Sequence, residues 1–209
     1  MRGRICRKII KVQAINQRLR KIPSWVVYPL GLIPLAWLIA RGMMGDLGVD
    51  PVRTVEHDMG LRGLQWLVGG LAITPLRWAT GISLVRFRRA VGLVAFFYVT
   101  LHLATWLLLD IQLNWAQAWE DILKRPYITI GMGAMILLLP LALTSNNRSI
   151  RWLGGRWQKL HRLVYVAAVA GAVHFLLVGK VWVGEALIYL SLVSILLALR
   201  ITHRVFGRP

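Results

Sequence analysis

Two things are scarce in this chain, cysteine and acid. Of 209 residues one is cysteine, Cys6, and eight are Asp or Glu, against 26 Lys and Arg. A single thiol excludes an intrachain disulfide, a C-x-x-C redox pair and the C-x-x-C-H attachment of c-type haem. Cys6 is then an ordinary thiol in a basic segment. No P-loop, nucleophile elbow, zincin motif or dinucleotide fingerprint is present either. NAD(P)H therefore has no visible site, and any reduction would have to draw on a partner or a membrane-soluble donor. Repeats, low-complexity tracts and a soluble domain are also missing.

What fills the chain instead is apolar. Hydrophobic residues make up 57% and charged residues 16%, where a soluble domain carries about a quarter charged. Several runs approach the roughly 20 residues needed to cross a bilayer core of about 30 Å. The pattern predicts an all-α integral membrane bundle of six helices, at about Pro23–Ala40, Leu61–Trp78, Ala90–Asp110, Tyr127–Thr144, His161–Gly179 and Gly184–Ile201. Residues 1–22 form a basic tail, 23–203 the membrane domain and 204–209 a C-terminal tail. The first apolar run is too long for the h-region of a secretory signal, usually about 7–15 residues, and lacks a small-x-small cleavage site. It reads as a retained helix.

The formal charge of +18 invites a nucleic-acid partner, but the placement of the charges argues against one. All eight acids fall between Asp46 and Asp58, between Asp110 and Asp121, or at Glu185. Twenty of the 26 basic residues fall in the tail, Arg77–Arg89, Arg148–Arg162 and Arg200–Arg208. Arg41, Arg53, Arg62, Lys124, Arg125 and Lys180 share the other side with the acids. The positive-inside bias places both termini in the cytoplasm. Trp25, Trp78, Trp115, Trp119, Trp152, Trp157 and Trp182 lie near helix ends, where amphipathic rings settle at the headgroups.

Ionisable side chains within a span are functional-site candidates, and two of five histidines qualify by depth. His102 lies about 18 Å in from Ala90, and His174 about 19.5 Å in from His161, at 1.5 Å per residue. Two imidazoles at one depth on separate helices can ligate one haem iron from opposite faces. The alternative is that each hydrogen-bonds a carbonyl of a neighbouring helix. His161 is 13 residues before His174, about 140° round an ideal helix, so a shared face needs a local bend. An inner haem on His161 would want a partner near position 88 or 89, where Arg88 and Arg89 stand instead. His203 is the remaining candidate. His57, between Glu56 and Asp58, reads as a solvated loop residue. Arg86, Arg88 and Arg89 suit haem propionates or a flavin phosphate, since the guanidinium fork matches such oxyanions. Topology enforcement and contact with anionic lipid are their commoner roles.

The stretches "LGVDPVRTVEHDMG", "AITPLR", "RFRRAVGLVAFFYVTLHL", "KRPYITIGMGA", "PLALTS" and "GGRWQKLHRLVYVAAVAGAVHFLL" resemble the MsrQ (YedZ) family. Its members are haem-binding membrane subunits of the bacterial periplasmic protein-methionine-sulfoxide reductase system. The wider relation is to ferric reductase-like transmembrane domains, which include NADPH oxidases. The resemblance runs from about Leu32 to Arg200. It implies a haem b electron-transfer subunit, with one or two haems and also FMN, fed from the quinone pool or a cytosolic flavin reductase. The implied recipient is a periplasmic molybdopterin-containing catalytic subunit that repairs oxidised methionines and performs the sulfoxide chemistry itself. His102, His161 and His174 fall on the family's histidines in "TLHL", "KLHRLVY" and "VHF". His57 matches a family position in a D-P-x5-H pattern, His203 matches none, and no FMN residue carries over by motif.

The expectation is thus an outer haem on His102 and His174, with His161 as a further ligand candidate and Arg88 and Arg89 as cofactor contacts. Two rivals stand beside it. One is a transmembrane ferric reductase-type oxidoreductase, which would need a flavin/NAD(P)H domain or partner. The other is a non-haem structural or transport membrane protein with histidines as polar glue.

Overall fold

The computed structural model describes residues 2–179 and 184–206. Lys180, Trp182 and Arg208, which entered the charge and tryptophan patterns, lie outside the described residues, as does the Cys6 side chain. Ten α-helices occur among the described residues, and no strand. They are α1 (Arg2–Lys21), α2 (Val27–Met43), α3 (Pro51–Thr80), α4 (Arg88–Thr105), α5 (Trp115–Lys124), α6 (Pro126–Leu143), α7 (Asn147–Leu153), α8 (Gly155–Leu160), α9 (Leu163–Val178) and α10 (Gly184–Phe206).

Each expected span has a helix, and five segments are long and apolar enough to cross a membrane. These are Ser24–Met43, Val85–Asp110, Pro126–Leu143, Gly155–Val178 and Gly184–Val205. The sixth expected span is α3, which has the length but not the composition. Its 30 residues extend about 45 Å and include Arg53, Glu56, Asp58, Arg62 and Arg77. Arg53 and Arg77 are exposed near its ends and Glu56, Asp58 and Arg62 are partly buried, while its middle sits at the centre. Leu64, Leu67, Leu71 and Ile73 are buried in clusters shared with α4, α6, α9 and α10. The peripheral helices show the reverse pattern. Ile33, Trp37, Ile136, Leu143, Ile188 and Ile195 are more than half exposed, and an apolar exterior of this kind suits lipid rather than water.

Packing between helices is done by small residues. Ala167, Ala168 and Ala172 on α9 and Ala95 on α4 are fully buried, which lets neighbouring backbones come close. Buried Tyr98 on α4 donates its hydroxyl to the Gly31 carbonyl of α2 at 2.6 Å. The central pairs are antiparallel, α3 beside α4 and α6 beside α9. Every acid therefore lies towards one end of the bundle and most of the cations towards the other.

Three segments depart from expectation. The helix containing His57 begins ten residues before Leu61. Asp50 caps it by accepting from Arg53 N at 3.0 Å, and Pro51 occupies the first turn, where its missing N–H costs nothing. His57 is thus an exposed residue of a helix rather than of a loop. The 1–22 tail is largely helical, and α1 docks on the loop after α3. Asn16 donates to Gly81 O at 3.0 Å and accepts from Ser83 N at 2.9 Å, and Leu19 packs beside Ile73, Phe87 and Val91. Helix α4 runs on through a π-helical turn, Trp106–Asp110, and a further helix, α5, follows where none was expected. Trp115, Trp119 and Leu123 line the outer face of α5, each about two-thirds exposed, while Ala118 and Asp121 face inward.

Candidate functional site

His102 projects from α4 and His174 from α9, both towards the acid-bearing end, and the bundle brings their rings together. The centroids are 5.9 Å apart with planes inclined by 71°. The Nδ1 of His102 lies 2.9 Å from Glu56 O on α3, and the Nδ1 of His174 lies 2.7 Å from Tyr127 O on α6. Each Nδ1–H donates to its carbonyl, which fixes the tautomer and leaves the Nε2 lone pair free. Among the described residues neither Nε2 has a hydrogen-bond partner. A metal-bound histidine is held in the same manner, with its second nitrogen tied to a carbonyl. The hydrogen bond to a neighbouring helix, weighed above as an alternative to ligation, is here compatible with it.

The spacing fits an ion between the rings. Metal–imidazole bonds of about 2.0–2.1 Å, with roughly 1.1 Å from nitrogen to ring centre, would set the centroids about 6.3 Å apart. The observed separation is within half an ångström of that.

Two glycines make these positions possible. A Cβ on Gly60 would stand 3.0 Å from His102 Nδ1, and one on Gly131 would stand 2.8 Å from His174 Nδ1. Each glycine lies four residues after the carbonyl that its histidine reaches, Glu56 to Gly60 and Tyr127 to Gly131. In an α-helix that carbonyl already accepts from the glycine N–H. Only a residue without a side chain lets an imidazole edge reach the same oxygen. The device occurs twice, once across α3/α4 and once across α6/α9. Neither glycine figures among the expectations above. The matching four-residue spacings in "EHDMG" and "YITIG" are the signal that was available.

The other expected residues lie elsewhere. His161 sits in the turn between α8 and α9. Its Nε2 is 3.1 Å from Thr144 Oγ1, and its ring stacks on Trp157 at 3.9 Å. Trp157 donates Nε1–H to Thr144 O at 2.9 Å, so it braces His161 as well as lying near a helix end. His203 stacks on Trp78 at 3.9 Å, nearly parallel. No second histidine is stacked on or hydrogen-bonded to His161 among the described residues. Arg88 donates to Thr74 Oγ1 and Arg89 to Asn147 Oδ1 at 2.8 Å, neither of them to His161. His57 has its ring 5.7 Å from that of Phe175, the residue after His174, and lies about one helical turn before Gly60.

The profile of the family described as ferric reductase like transmembrane component matches residues 59–172. His102 and His161 lie inside that stretch, and His174 lies two residues past its end. The chain is 50% identical over 179 residues to the protein-methionine-sulfoxide reductase heme-binding subunit MsrQ of Brucella anthropi, covering 86% of this chain and 81% of that protein. It is 50% identical over 196 residues to the protein of the same name from Brucella ovis, covering 91% and 89%. On the extent of this likeness, and on the match to more than half its length, the chain belongs to the MsrQ family of ferric reductase-like transmembrane proteins.

Proposed function

We propose that this chain is a six-helix haem b protein of the bacterial inner membrane, with both termini cytoplasmic. In this reading it serves as the electron-transfer subunit of a periplasmic methionine-sulfoxide reductase. The observation that carries the proposal is the facing pair His102 and His174, each with Nδ1 committed to a carbonyl and Nε2 free. Haem, when bound, supplies a one-electron iron couple. The chain's own residues orient the two imidazoles and surround them with apolar helix faces. The two carbonyls raise the basicity of the nitrogens left free, the Nε2 of each histidine. The site lies towards the acid-bearing end, which the positive-inside bias assigns to the periplasm, so electrons would leave on that side.

The name of the relatives supports haem and a methionine-sulfoxide reductase partner. The finer parts rest on the resemblance and the chemistry alone. They are a molybdopterin-containing partner, quinol or a cytosolic flavin reductase as donor, FMN as a second cofactor, and His161 as ligand to an inner haem. Arg88 and Arg89 are proposed as contacts for the acid groups of a cofactor at the basic end. The sulfoxide chemistry is assigned to the partner.

A dithionite-reduced minus oxidised spectrum of detergent-purified chain tests the reading. Wild type is expected to give a b-type signal, and His102→Ala and His174→Ala to lose most of it, while His203→Ala keeps it. Absence of haem absorbance after expression with ample haem would sink the proposal in favour of a structural or transport role. The family profile also favours a second reading, a ferric reductase-type activity. Reduction of ferric chelates by the purified chain with NADPH alone would support that one.

A further inference from the structure

We infer that Arg88 and Arg200 form a binding site for a phosphate group at the basic end of the bundle, filled by the headgroup of an anionic phospholipid. The site shares Arg88 with the cofactor reading but stands on its own observations and needs no haem.

Four helices meet there. Arg200 of α10 donates to Leu71 O of α3 at 2.7 Å and to Tyr165 Oη of α9 at 2.9 Å, and its guanidinium lies over the Tyr165 ring at 5.1 Å. Arg88 of α4 donates to Thr74 Oγ1 of α3. Leu71 and Thr74 are three residues apart, within one turn of α3, so both guanidiniums attach to the same turn of that helix. The partners shown for both are neutral oxygens. Most of their ten N–H donors have no partner among the described residues, and Arg200 Nε is buried without one.

No Asp or Glu is near enough to balance them. Along α3 the nearest acid is Asp58, 13 residues and about 20 Å before Leu71. Along α10 it is Glu185, 15 residues and about 22 Å before Arg200. Two like charges held together at the rim of a low-dielectric medium require a counter-charge. Among the described residues the chain provides none, so the anion is taken to come from outside.

Depth and chemistry select phosphate. Leu71 lies about 13 Å from the end of α3 at Thr80, and Arg200 about 9 Å from the end of α10 at Phe206. With a hydrocarbon core of about 30 Å inside a bilayer of about 40–45 Å, a helix of 45 Å puts these groups near the border of headgroups and acyl chains. A phosphodiester sits at that border. It has two oxygens for two guanidinium forks, and Thr74 and Tyr165 hydroxyls flank it.

The test is thermal unfolding of the full chain in maltoside micelles titrated with dioleoylphosphatidylglycerol, dioleoylphosphatidylcholine or inorganic phosphate, with haem content recorded on every sample. Phosphatidylglycerol is expected to stabilise wild type, and phosphatidylcholine to leave it unchanged. Arg88→Gln/Arg200→Gln should need about tenfold or more phosphatidylglycerol for half the effect. Arg151→Gln/Arg156→Gln, which removes two exposed cations at the same end, should respond as wild type does. Stabilisation by inorganic phosphate alone, lost in the Arg88/Arg200 variant, keeps the site and changes the source to a soluble phosphate. If the double variant does not fold, Arg200→Lys and Thr74→Val take its place, and unchanged affinity in both overturns the proposal. It is also overturned if wild type does not distinguish the anionic probes from phosphatidylcholine, or if the Arg151/Arg156 variant loses as much. Loss of haem from the Arg88/Arg200 variant with its lipid response intact would assign the pair to haem propionates instead.

Discussion

Arg62, a residue of α3, and Arg200, which reaches Leu71 O further along the same helix, meet opposite circumstances. Arg62 is paired with Asp58 at 3.2 Å, one turn away. The other ion pairs among the described residues share the acid-bearing end, Arg41–Asp46, Lys124–Glu120 and Arg125–Asp121. Arg200 has only a carbonyl and a phenol. Its neighbours at the basic end do no better: Arg86 donates to Leu19 O at 3.0 Å, Arg88 to a hydroxyl and Arg89 to an amide. Charge asymmetry that reads in sequence as topology is, in the folded chain, a difference in how charge is compensated. One end is self-neutralised, and the other leaves its cations to whatever surrounds it.

The histidines divide along the same axis. At the acid-bearing end two of them face each other with free nitrogens. At the basic end His161 and His203 each stack on a tryptophan. The facing arrangement depends on two glycines, and the largest expected effects come from removing them. Gly131→Ala places a Cβ 2.8 Å from His174 Nδ1 and Gly60→Ala one 3.0 Å from His102 Nδ1. Each is expected to displace its ring and cost most of the bound haem, Gly131→Ala more than Gly60→Ala, by haem-to-protein ratio and midpoint potential. Gly133→Ala, two residues along α6 with open space around it, should keep the haem. Equal loss in all three would mean that helix flexibility matters rather than the approach of the rings.

A smaller effect sharpens the contrast in charge. Asp121 is nearly buried and Arg125 meets it at 3.0 Å. Arg125→Gln leaves that carboxylate without its cation and should cost about 1–2 kcal/mol, seen as a melting point lower by a few degrees and indifferent to anionic lipid. Lipid-dependent loss would erase the distinction between the ends.

At the basic end Thr144→Val removes the hydroxyl that meets His161 Nε2 at 3.1 Å. It should cost about 0.5–1.5 kcal/mol and leave the signal of the His102–His174 pair unchanged. A weakened signal would tie the two ends together. Smallest of all is Glu120→Gln. The Lys124 ammonium, 2.5 Å away, holds the Glu120 carboxyl below its usual range, but both groups are fully exposed to solvent. An exposed pair of this kind contributes little, so the melting point should not move.

Much of the fold was legible because bilayer crossing is a demand on composition and length. The six expected spans each carry a helix, and prolines at 34, 75 and 140 did not end them. The early start of α3 was also written locally, in the Asp50–Pro51 cap, but the charges that follow it drew the reading towards a loop. Helix α5 was missed for the same reason. A ten-residue helix between two spans leaves no long apolar run, and only the spacing of Trp115, Trp119 and Leu123 marks it.

Of the site, depth alone picked out His102 and His174, since one dimension along a helix can be counted from its ends. Rotation about the helix axis cannot be counted that way, because boundary errors of one or two residues turn a side chain by 100–200°. The sequence by itself determined the membrane class, the six long apolar or mixed segments that became helices, and which end of each would carry positive charge. These follow from the hydropathy, length and local charge of contiguous segments. Only the tertiary structure decided that α3 stands at the centre, and that Gly60 and Gly131 lie under the two imidazoles. It alone brought Arg88 and Arg200 to one turn of α3. Those are contacts between residues 14 to 129 positions apart, fixed by which helix faces pack together.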